Sequence, residues 1–126
     1  MTRAVRGAAG IEKDESREIH LAADRLVREI MRLNGMEEED IISILFSVTR
    51  DLTKGNPATG LRSGGFADTP LFCLQEAQVE GDMPRILRVL VTYRTEAGRP
   101  PVPVYMGRAA ALRPDLFRGA GDEVTR

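Results

Sequence analysis

Residues 86–93 read ILRVLVTY, and this stretch decides the fold. Seven of its eight residues are aliphatic, β-branched or aromatic, which is the composition of a buried β-strand. The exception is Arg88. A guanidinium is almost never fully buried without a partner, because losing its water costs several kcal/mol. The stretch therefore predicts a core strand over 85–94 and raises the question of what Arg88 binds there.

Further strands are predicted on both sides of this one. The segment TRAVRGA (2–8) has the pattern of a short strand, which Arg6 interrupts. The segment IISILFSV (41–48) is apolar on both parities apart from two serines, which predicts a strand buried on both faces. A short strand is expected in 71–77, and 104–112 is expected to begin as a strand.

One long amphipathic helix and one short helix are predicted between the strands. The apolar stripe of the long helix contains Ile19, Ala22, Ala23, Leu26, Ile30 and Leu33. We expect Asp14 or Ser16 to cap its N-terminus and the Asn-Gly pair at 34–35 to close it. Pro57 is expected to start a short helix at 58–62.

This order of elements predicts an α+β layer fold with a mixed sheet of about five strands. The 126 residues suffice for one core, so a single domain is expected over 1–126, with a flexible tail at 117–126. One helix cannot cover both faces of such a sheet. The remaining apolar face predicts an oligomer, for which closed symmetry is the common arrangement.

Composition excludes several classes of protein. The formal net charge of −1 gives no nucleic-acid footprint. The single cysteine, Cys73, excludes an intramolecular disulfide and fits a reducing compartment. The N-terminus has no apolar signal region, and the longest apolar run is far shorter than the ~20 residues that span a bilayer. We therefore expect a soluble, cytoplasmic protein that binds neither nucleic acid nor a membrane.

The residue types of most catalytic centres are scarce, and arginine is abundant. The sequence has one histidine, no clustered metal-ligand spacing and no phosphate-binding glycine loop. Nothing brings Cys73 to His20, which we interpret as a residue on the flank of the long helix. In contrast, 16 arginines stand against two lysines. Each arginine offers a rigid, two-pronged donor to carboxylates.

The placement of four arginines is unusual. Arg6 and Arg88 interrupt strands, Arg62 ends the short helix, and Arg113 opens the segment RPDL. Guanidinium groups on rigid strands suit a ligand with fixed carboxylates. The alternative for each is a structural ion pair with a nearby acidic residue such as Glu76. The residues alone leave both interpretations open.

Several short motifs, in this order and at this spacing, resemble those of a known enzyme family. They are VRGA (5–8), VTRDL (48–52), CLQE (73–76), RILRVLV (85–91), VY (104–105) and LRPDL (112–116). Together they are similar to the monofunctional, homotrimeric chorismate mutases of the α+β type, which are distinct from the all-helical ones. The resemblance extends from about residue 3 to residue 116.

The resemblance implies an intramolecular isomerase of the shikimate pathway, in the biosynthesis of phenylalanine and tyrosine. Such enzymes convert chorismate to prephenate by a [3,3] Claisen rearrangement, with no metal, no cofactor and no covalent intermediate. The resemblance also implies a homotrimer whose sheets pack around a central axis as a pseudo-α/β barrel, with active sites at the subunit interfaces. That assembly agrees with the uncovered sheet face predicted above.

The matching motifs also imply site residues. By resemblance, Arg6 binds a substrate carboxylate, Arg88 reaches the ether oxygen of the breaking bond, and Tyr105 contacts a carboxylate. Glu76 and Cys73 would lie near the ring hydroxyl. The remaining expected substrate contacts are the wall formed by Phe72, Cys73, Leu74 and Gln75, Arg62 at the mouth, and Leu112 and Arg113 beside the tail.

The sequence departs from the family pattern at the rim of this expected site. Asn56 stands where the family usually has an aromatic residue, and the loop at 63–65 is glycine-rich and short. These differences bear on substrate entry, and we expect the tail from 117 to close over bound ligand. Two alternatives stay open: a trimeric protein that binds carboxylate ligands or hydrolyses imines, and an inactive homologue that senses a pathway metabolite.

Overall fold

The computed structural model describes residues 1–113 and contains one mixed β-sheet. Its strands are β1 (Thr2–Gly10), β2 (Ile41–Val48), β3 (Leu71–Gln75), β4 (Ile86–Arg94) and β5 (Val104–Met106). The helices are α1 (Ser16–Asn34), α2 (Pro57–Ser63) and two 3-10 helices, Glu38–Asp40 and Gly107–Leu112. The predicted α+β fold is confirmed. The predicted flexible tail and the last three residues of the LRPDL motif lie outside the described residues.

Strand β4, which contains ILRVLVTY, lies at the centre of the sheet, whose strand order is β3-β2-β4-β1-β5. It pairs antiparallel with β1 and with β2, and the outer strands β5 and β3 pair in parallel with β1 and β2. Alternate residues of a strand point to opposite faces. Leu87, Val89 and Val91 are buried in the core shared with α1, so Arg88 and Leu90 point to the opposite face.

Helix α1 packs its apolar stripe closely on the sheet. Leu26 and Ile30 are fully buried. Gly7 of β1 makes the close approach possible, because a Cβ there would lie 2.9 Å from the Val104 carbonyl oxygen and 3.0 Å from Ile30 Cδ1. The helix ends, as predicted, at Gly35, whose φ of 62° is in the left-handed region that glycine adopts without strain.

The N-terminus of α1 differs from the prediction. The capping position is Glu15, without a side-chain cap, so neither Asp14 nor Ser16 caps the helix. Asp14 instead accepts hydrogen bonds from the backbone N–H groups of Thr53 and Lys54, at 2.9 and 3.0 Å, and from the Thr53 hydroxyl at 2.7 Å. These bonds, chiefly the one from the Thr53 hydroxyl, hold the pKa of Asp14 below its ordinary value. Asp14 therefore fastens the loop that leads into α2.

Helix α2 packs against α1. Its N-cap is Asn56, whose side-chain oxygen accepts a hydrogen bond from the Ala58 N–H at 2.8 Å. A Cβ at Gly60 would lie 2.7 Å from the Cα of His20, so the two helix backbones meet almost directly. His20 therefore lies on the flank of α1 beneath α2, in agreement with the interpretation from sequence.

Residues 1–113 of one chain leave the sheet face opposite α1, which we call the open face, largely uncovered. This face carries four apolar side chains that are between 40% and 60% accessible: Leu45, Phe72, Leu74 and Leu90. The prediction that β2 is buried on both faces is thus wrong for a single chain, because Leu45 lies on the open face. One end of this face is covered by a small apolar cluster made of Ala8, Ile86, Tyr105 and Ala109, against which Met83 and Leu112 pack.

No helix within residues 1–113 is both long enough and apolar enough to cross a bilayer.

Candidate active site

Arg88 stands in a row of residues that crosses the open face. Ser47 of β2 pairs directly with Arg88, and Arg88 pairs directly with Ala8 of β1. The row continues to Leu74 of β3, which pairs with Ser47, and to Tyr105 of β5, which pairs with Ala8. All five side chains therefore share one face of the sheet. Arg88 lies in the middle of this row, on β4, the central strand of the sheet.

Within residues 1–113, the partner of Arg88 is Glu76. Arg88 Nε donates a hydrogen bond to Glu76 Oε1 at 2.8 Å. Glu76 directly follows β3, and its backbone N–H donates to the Val48 carbonyl at 2.8 Å, which extends the pairing of β3 with β2. The Glu76 side chain is 17% exposed and that of Arg88 is 38% exposed. The structural ion pair considered from sequence is thus formed, and it uses only the Nε side of the guanidinium.

Ser47 is a member of this cluster that the sequence reasoning missed. Its hydroxyl donates to the same Glu76 Oε1 at 3.0 Å. The available signal was the interruption of an otherwise apolar strand by a serine. Only the register of β2 against β4 shows that this serine faces Arg88.

Arg6 shares the open face with Arg88. It pairs with Leu90, two residue pairs along from Ala8 and Arg88, which is the next pair on the same face. Diagonal neighbours of this kind lie about 7–8 Å apart, within reach of long side chains. Arg6 is exposed. The two guanidinium groups with the single carboxylate of Glu76 leave this part of the face net positive, which suits an anionic ligand.

Tyr105 and Leu112 border the cluster on the other side. Tyr105 is 5% exposed and packs with Ala8 and Ala109, while Leu112 packs against the same group. Arg113 ends the 3-10 helix Gly107–Leu112. The structure thus brings Arg6, Arg88, Glu76 and Tyr105 to one face, although their sequence positions span about a hundred residues.

Cys73 lies on the opposite face of the sheet. It pairs with the buried Phe46 and packs against the core on the α1 side of the sheet, so it points away from Glu76. Burial raises the pKa of the Cys73 thiol, which keeps the sulfur protonated rather than activated as a thiolate.

Arg62 also lies apart from Arg88, on the helix layer. Its Nη1 donates to the carbonyls of Phe66 and Ala67, at 2.8 and 3.1 Å, and so holds the loop that follows α2. Phe72 is on the open face, but on the edge strand β3, and is 60% exposed. Gln75, at the end of β3, is also exposed. A single chain therefore separates the predicted site residues into a group around Arg88 and a group along β3 and α2.

A cavity of about 390 Å³ opens beside the cluster without enclosing it. It is formed by residues 49–51 and 76–84, and Glu76 is the member it shares with the cluster. Neither Arg6 nor Arg88 lines it. Within residues 1–113, no three His, Cys, Asp or Glu side chains are grouped so that they could hold a metal ion. Among residues 1–113 the Arg88 cluster stays partly exposed, with the Arg88 side chain 38% and the Glu76 side chain 17% accessible.

Comparison with known proteins identifies the family. The family model for chorismate mutase type I matches residues 2–116. The chain belongs to the chorismate mutase type I family. This confirms the predicted activity class, an intramolecular isomerase, and favours it over the carboxylate-binding or imine-hydrolysing alternative.

Individual relatives support the assignment over almost the whole chain. The chorismate mutase AroH of Thermus thermophilus is 37% identical over 118 residues, which are 92% of this chain and 97% of that protein. The chorismate mutase AroH of Bacillus subtilis is 34% identical over 118 residues, 92% of this chain and 93% of that protein. Among solved structures, the chorismate mutase from Clostridium thermocellum superposes with a TM-score of 0.84 at 34% identity, covering 86% of this chain and 98% of that one.

Proposed function

We propose that this chorismate mutase converts chorismate to prephenate at the open-face cluster, with Arg88 as the principal catalytic residue. The observation that carries the proposal is the state of the guanidinium. Its Nε is fixed to Glu76, while its terminal amino groups have no hydrogen-bond partner among residues 1–113. A donor that is held in place and still has unused N–H groups is preorganised for a ligand.

The rearrangement itself limits what the protein has to do. A [3,3] shift breaks one C–O bond and forms one C–C bond within one molecule, so no proton transfer or nucleophile is needed. The protein must hold a flexible dianion in its compact reactive conformer, which is an orientation effect. Arg6, exposed beside Arg88 on the same face, is suited to bind one carboxylate of the substrate.

Arg88 would supply the electrostatic part of catalysis. Negative charge grows on the ether oxygen when the C–O bond breaks ahead of C–C bond formation. A fixed guanidinium that meets this oxygen in the transition state is worth roughly 3–4 kcal/mol, or two to three decades in rate. Arg88 is thus tolerated in the central strand because Glu76 holds one side of its guanidinium and substrate binds the other.

Glu76 and Tyr105 would orient the substrate around that contact. Glu76 Oε1 is occupied by Arg88 and Ser47, so its second oxygen is left to accept a hydrogen bond from the ring hydroxyl. Tyr105 presents a phenol at the other end of the row, where it could donate to a substrate carboxylate.

We further propose that the active site is completed by a neighbouring subunit in a homotrimer. Two features of the single chain support this: the open face carries exposed apolar side chains, and Cys73 and Arg62 lie away from Arg88. The edge strand β3 and helix α2 of one subunit would then close the Arg88 cluster of the next. We expect the trimer to work in the cytoplasm, where a single reduced cysteine is stable.

The activity is tested by following the loss of chorismate absorbance with the purified protein in a metal chelator. The proposal predicts saturation kinetics and prephenate as the product. A rate equal to the uncatalysed one would leave the inactive, metabolite-sensing homologue as the explanation. Imines and other pathway acids would then be screened for turnover and binding.

The shared site is tested by mixing subunits. Arg88→Ala and Arg62→Ala chains, each poorly active, are co-expressed with different tags, and mixed trimers are purified on both tags. In a cyclic trimer, one interface in each mixed assembly combines an intact Arg88 with an intact Arg62, so about a third of wild-type activity should return. No recovery would place both arginines in the same subunit's site.

A further inference from the structure

The ion pair between Arg88 and Glu76 does not by itself require the hydrogen bond that Ser47 donates to Glu76. Two donors converge on one carboxylate oxygen: the Ser47 hydroxyl at 3.0 Å and Arg88 Nε at 2.8 Å. Ser47 and Arg88 are direct cross-strand partners, so both donors lie side by side on the open face. Glu76 reaches them from the end of β3, on the far side of β2.

We infer that Ser47 is a positioning residue that keeps Glu76 on the Nε side of Arg88. This inference rests on the proposed roles of Glu76 and Arg88, and it adds a residue that the family motifs in this sequence do not include.

The physical reason lies in the geometry preferred by a guanidinium and a carboxylate. Left to themselves, the two groups favour a two-pronged pair in which both carboxylate oxygens accept N–H groups. In this protein the pair has a single bond, from Nε to Oε1. A second donor on Oε1 holds that oxygen over β2 and opposes rotation of the carboxylate toward the terminal amino groups of Arg88.

The consequence is that two groups stay available for the substrate. The terminal amino groups of Arg88 remain open for the ether oxygen, and Glu76 Oε2 remains open for the ring hydroxyl. Serine suits this task because its hydroxyl is neutral and short. It can hold the carboxylate without adding a charge that would compete with Arg88.

Removing the hydroxyl should therefore act on the chemical step more than on substrate binding. Without Ser47, Glu76 is free to form the two-pronged pair and to occupy the amino groups that the transition state uses. We expect Ser47→Ala to lower kcat roughly ten-fold, the size of one hydrogen bond to a charged group, with KM changed less than about two-fold. Ser47→Thr, which keeps a hydroxyl on a strand position that tolerates β-branching, should recover most of the loss.

The experiment is a double-mutant cycle on kcat with chorismate as substrate. Its members are wild type, Ser47→Ala, Glu76→Ala and the double variant, and thermal unfolding of each protein shows that it is folded. Ser43→Ala is the matched control, since Ser43 lies on the same strand but pairs with Thr92, away from Glu76. The inference predicts that Ser47→Ala has little further effect once Glu76 is alanine, and that the control keeps wild-type kcat.

Three results would overturn the inference, and they have different meanings. An equal loss from Ser47→Ala in both backgrounds would show that Ser47 acts independently of Glu76. Full activity of Ser47→Ala beside an impaired Glu76→Ala would show that Glu76 needs no positioning by Ser47. Full activity of Glu76→Ala would instead remove Glu76 from the proposed site, and the inference with it, while leaving the mutase activity of the wild type in place.

Discussion

Replacing Arg88 with lysine should remove most of the catalytic power while leaving the protein folded. The substitution keeps a positive charge on the central strand but removes the forked shape of the side chain. Arginine offers five N–H donors, of which one, on Nε, is used for Glu76 at 2.8 Å. Lysine carries all its donors on one nitrogen. That nitrogen can stay with Glu76 or extend to the substrate, but it cannot do both.

The size of the effect follows from which contact is lost. If the ammonium stays with Glu76, which is only 17% exposed, the ether oxygen loses its preorganised donor. Losing one such donor costs about 2.7–4 kcal/mol of transition-state stabilisation, or 10²–10³ in kcat. The ion pair is partly exposed, and pairs of this kind contribute about 0–1 kcal/mol to stability, so the melting temperature should change by no more than a few degrees.

The assay is the continuous loss of chorismate absorbance over a range of substrate concentrations. Arg94→Lys is the matched control, because Arg94 ends the same strand and is exposed, and its kcat should remain within about two-fold of wild type. An Arg88→Lys protein that keeps kcat within about five-fold of wild type would refute the reasoning. A point charge alone would then be sufficient, and the fixed fork of Arg88 would have no catalytic role.

Three further predictions concern assembly, packing and pH. Leu90→Glu places a charge on the open face. In light scattering, it should convert a species of about three times the 13.9 kDa chain mass into monomer. An unchanged mass would place the subunit interface elsewhere. Gly60→Ala places a Cβ 2.7 Å from the His20 Cα. It should therefore lower the free energy of unfolding by about 1–3 kcal/mol, as measured by denaturant titration. A neutral effect would mean that the two helices separate freely. Asp14 has a lowered pKa, so its contribution to stability is complete above its unfolded-state pKa of 3.8 and is lost as pH falls through the lower folded-state value. Wild type should therefore lose more stability than Asp14→Asn as pH is lowered from about 5 to about 2, and parallel curves would show that Asp14 does not hold the 53–54 loop.

Sequence was informative where a local pattern determines structure. The composition of ILRVLVTY marks a strand with neighbours on both edges, and β4 is the centre of the sheet. The stripe of α1 and the glycine that ends it follow from helical periodicity and from the left-handed conformation of Gly35. Arg88 was recognisable as exceptional because it contradicts its surroundings. Conflicts of this kind between local pattern and residue type are expected at functional sites.

Contacts between distant segments were not readable from the sequence. Asp14 looked like a helix cap but binds Thr53, 39 residues away, and Ser47 reaches Glu76 across 29 residues. Neither partner could be chosen before the strands and loops were placed. Cys73 shows the same limit in another form. The motif CLQE puts it close to Glu76 in sequence, but the alternation of β3, which the pairing of Glu76 with Val48 extends, sends the two side chains to opposite faces of the sheet.

The most direct test of the central claim is the kcat of Arg88→Ala with chorismate, beside that of Arg94→Ala from the same strand. In the proposed mechanism, Arg88 alone stabilises the negative charge that develops on the ether oxygen. Arg88→Ala should therefore lose two or more decades of kcat, while Arg94→Ala remains near wild type. A folded Arg88→Ala protein that keeps kcat within ten-fold of wild type would contradict the account and place catalysis at another part of the molecule.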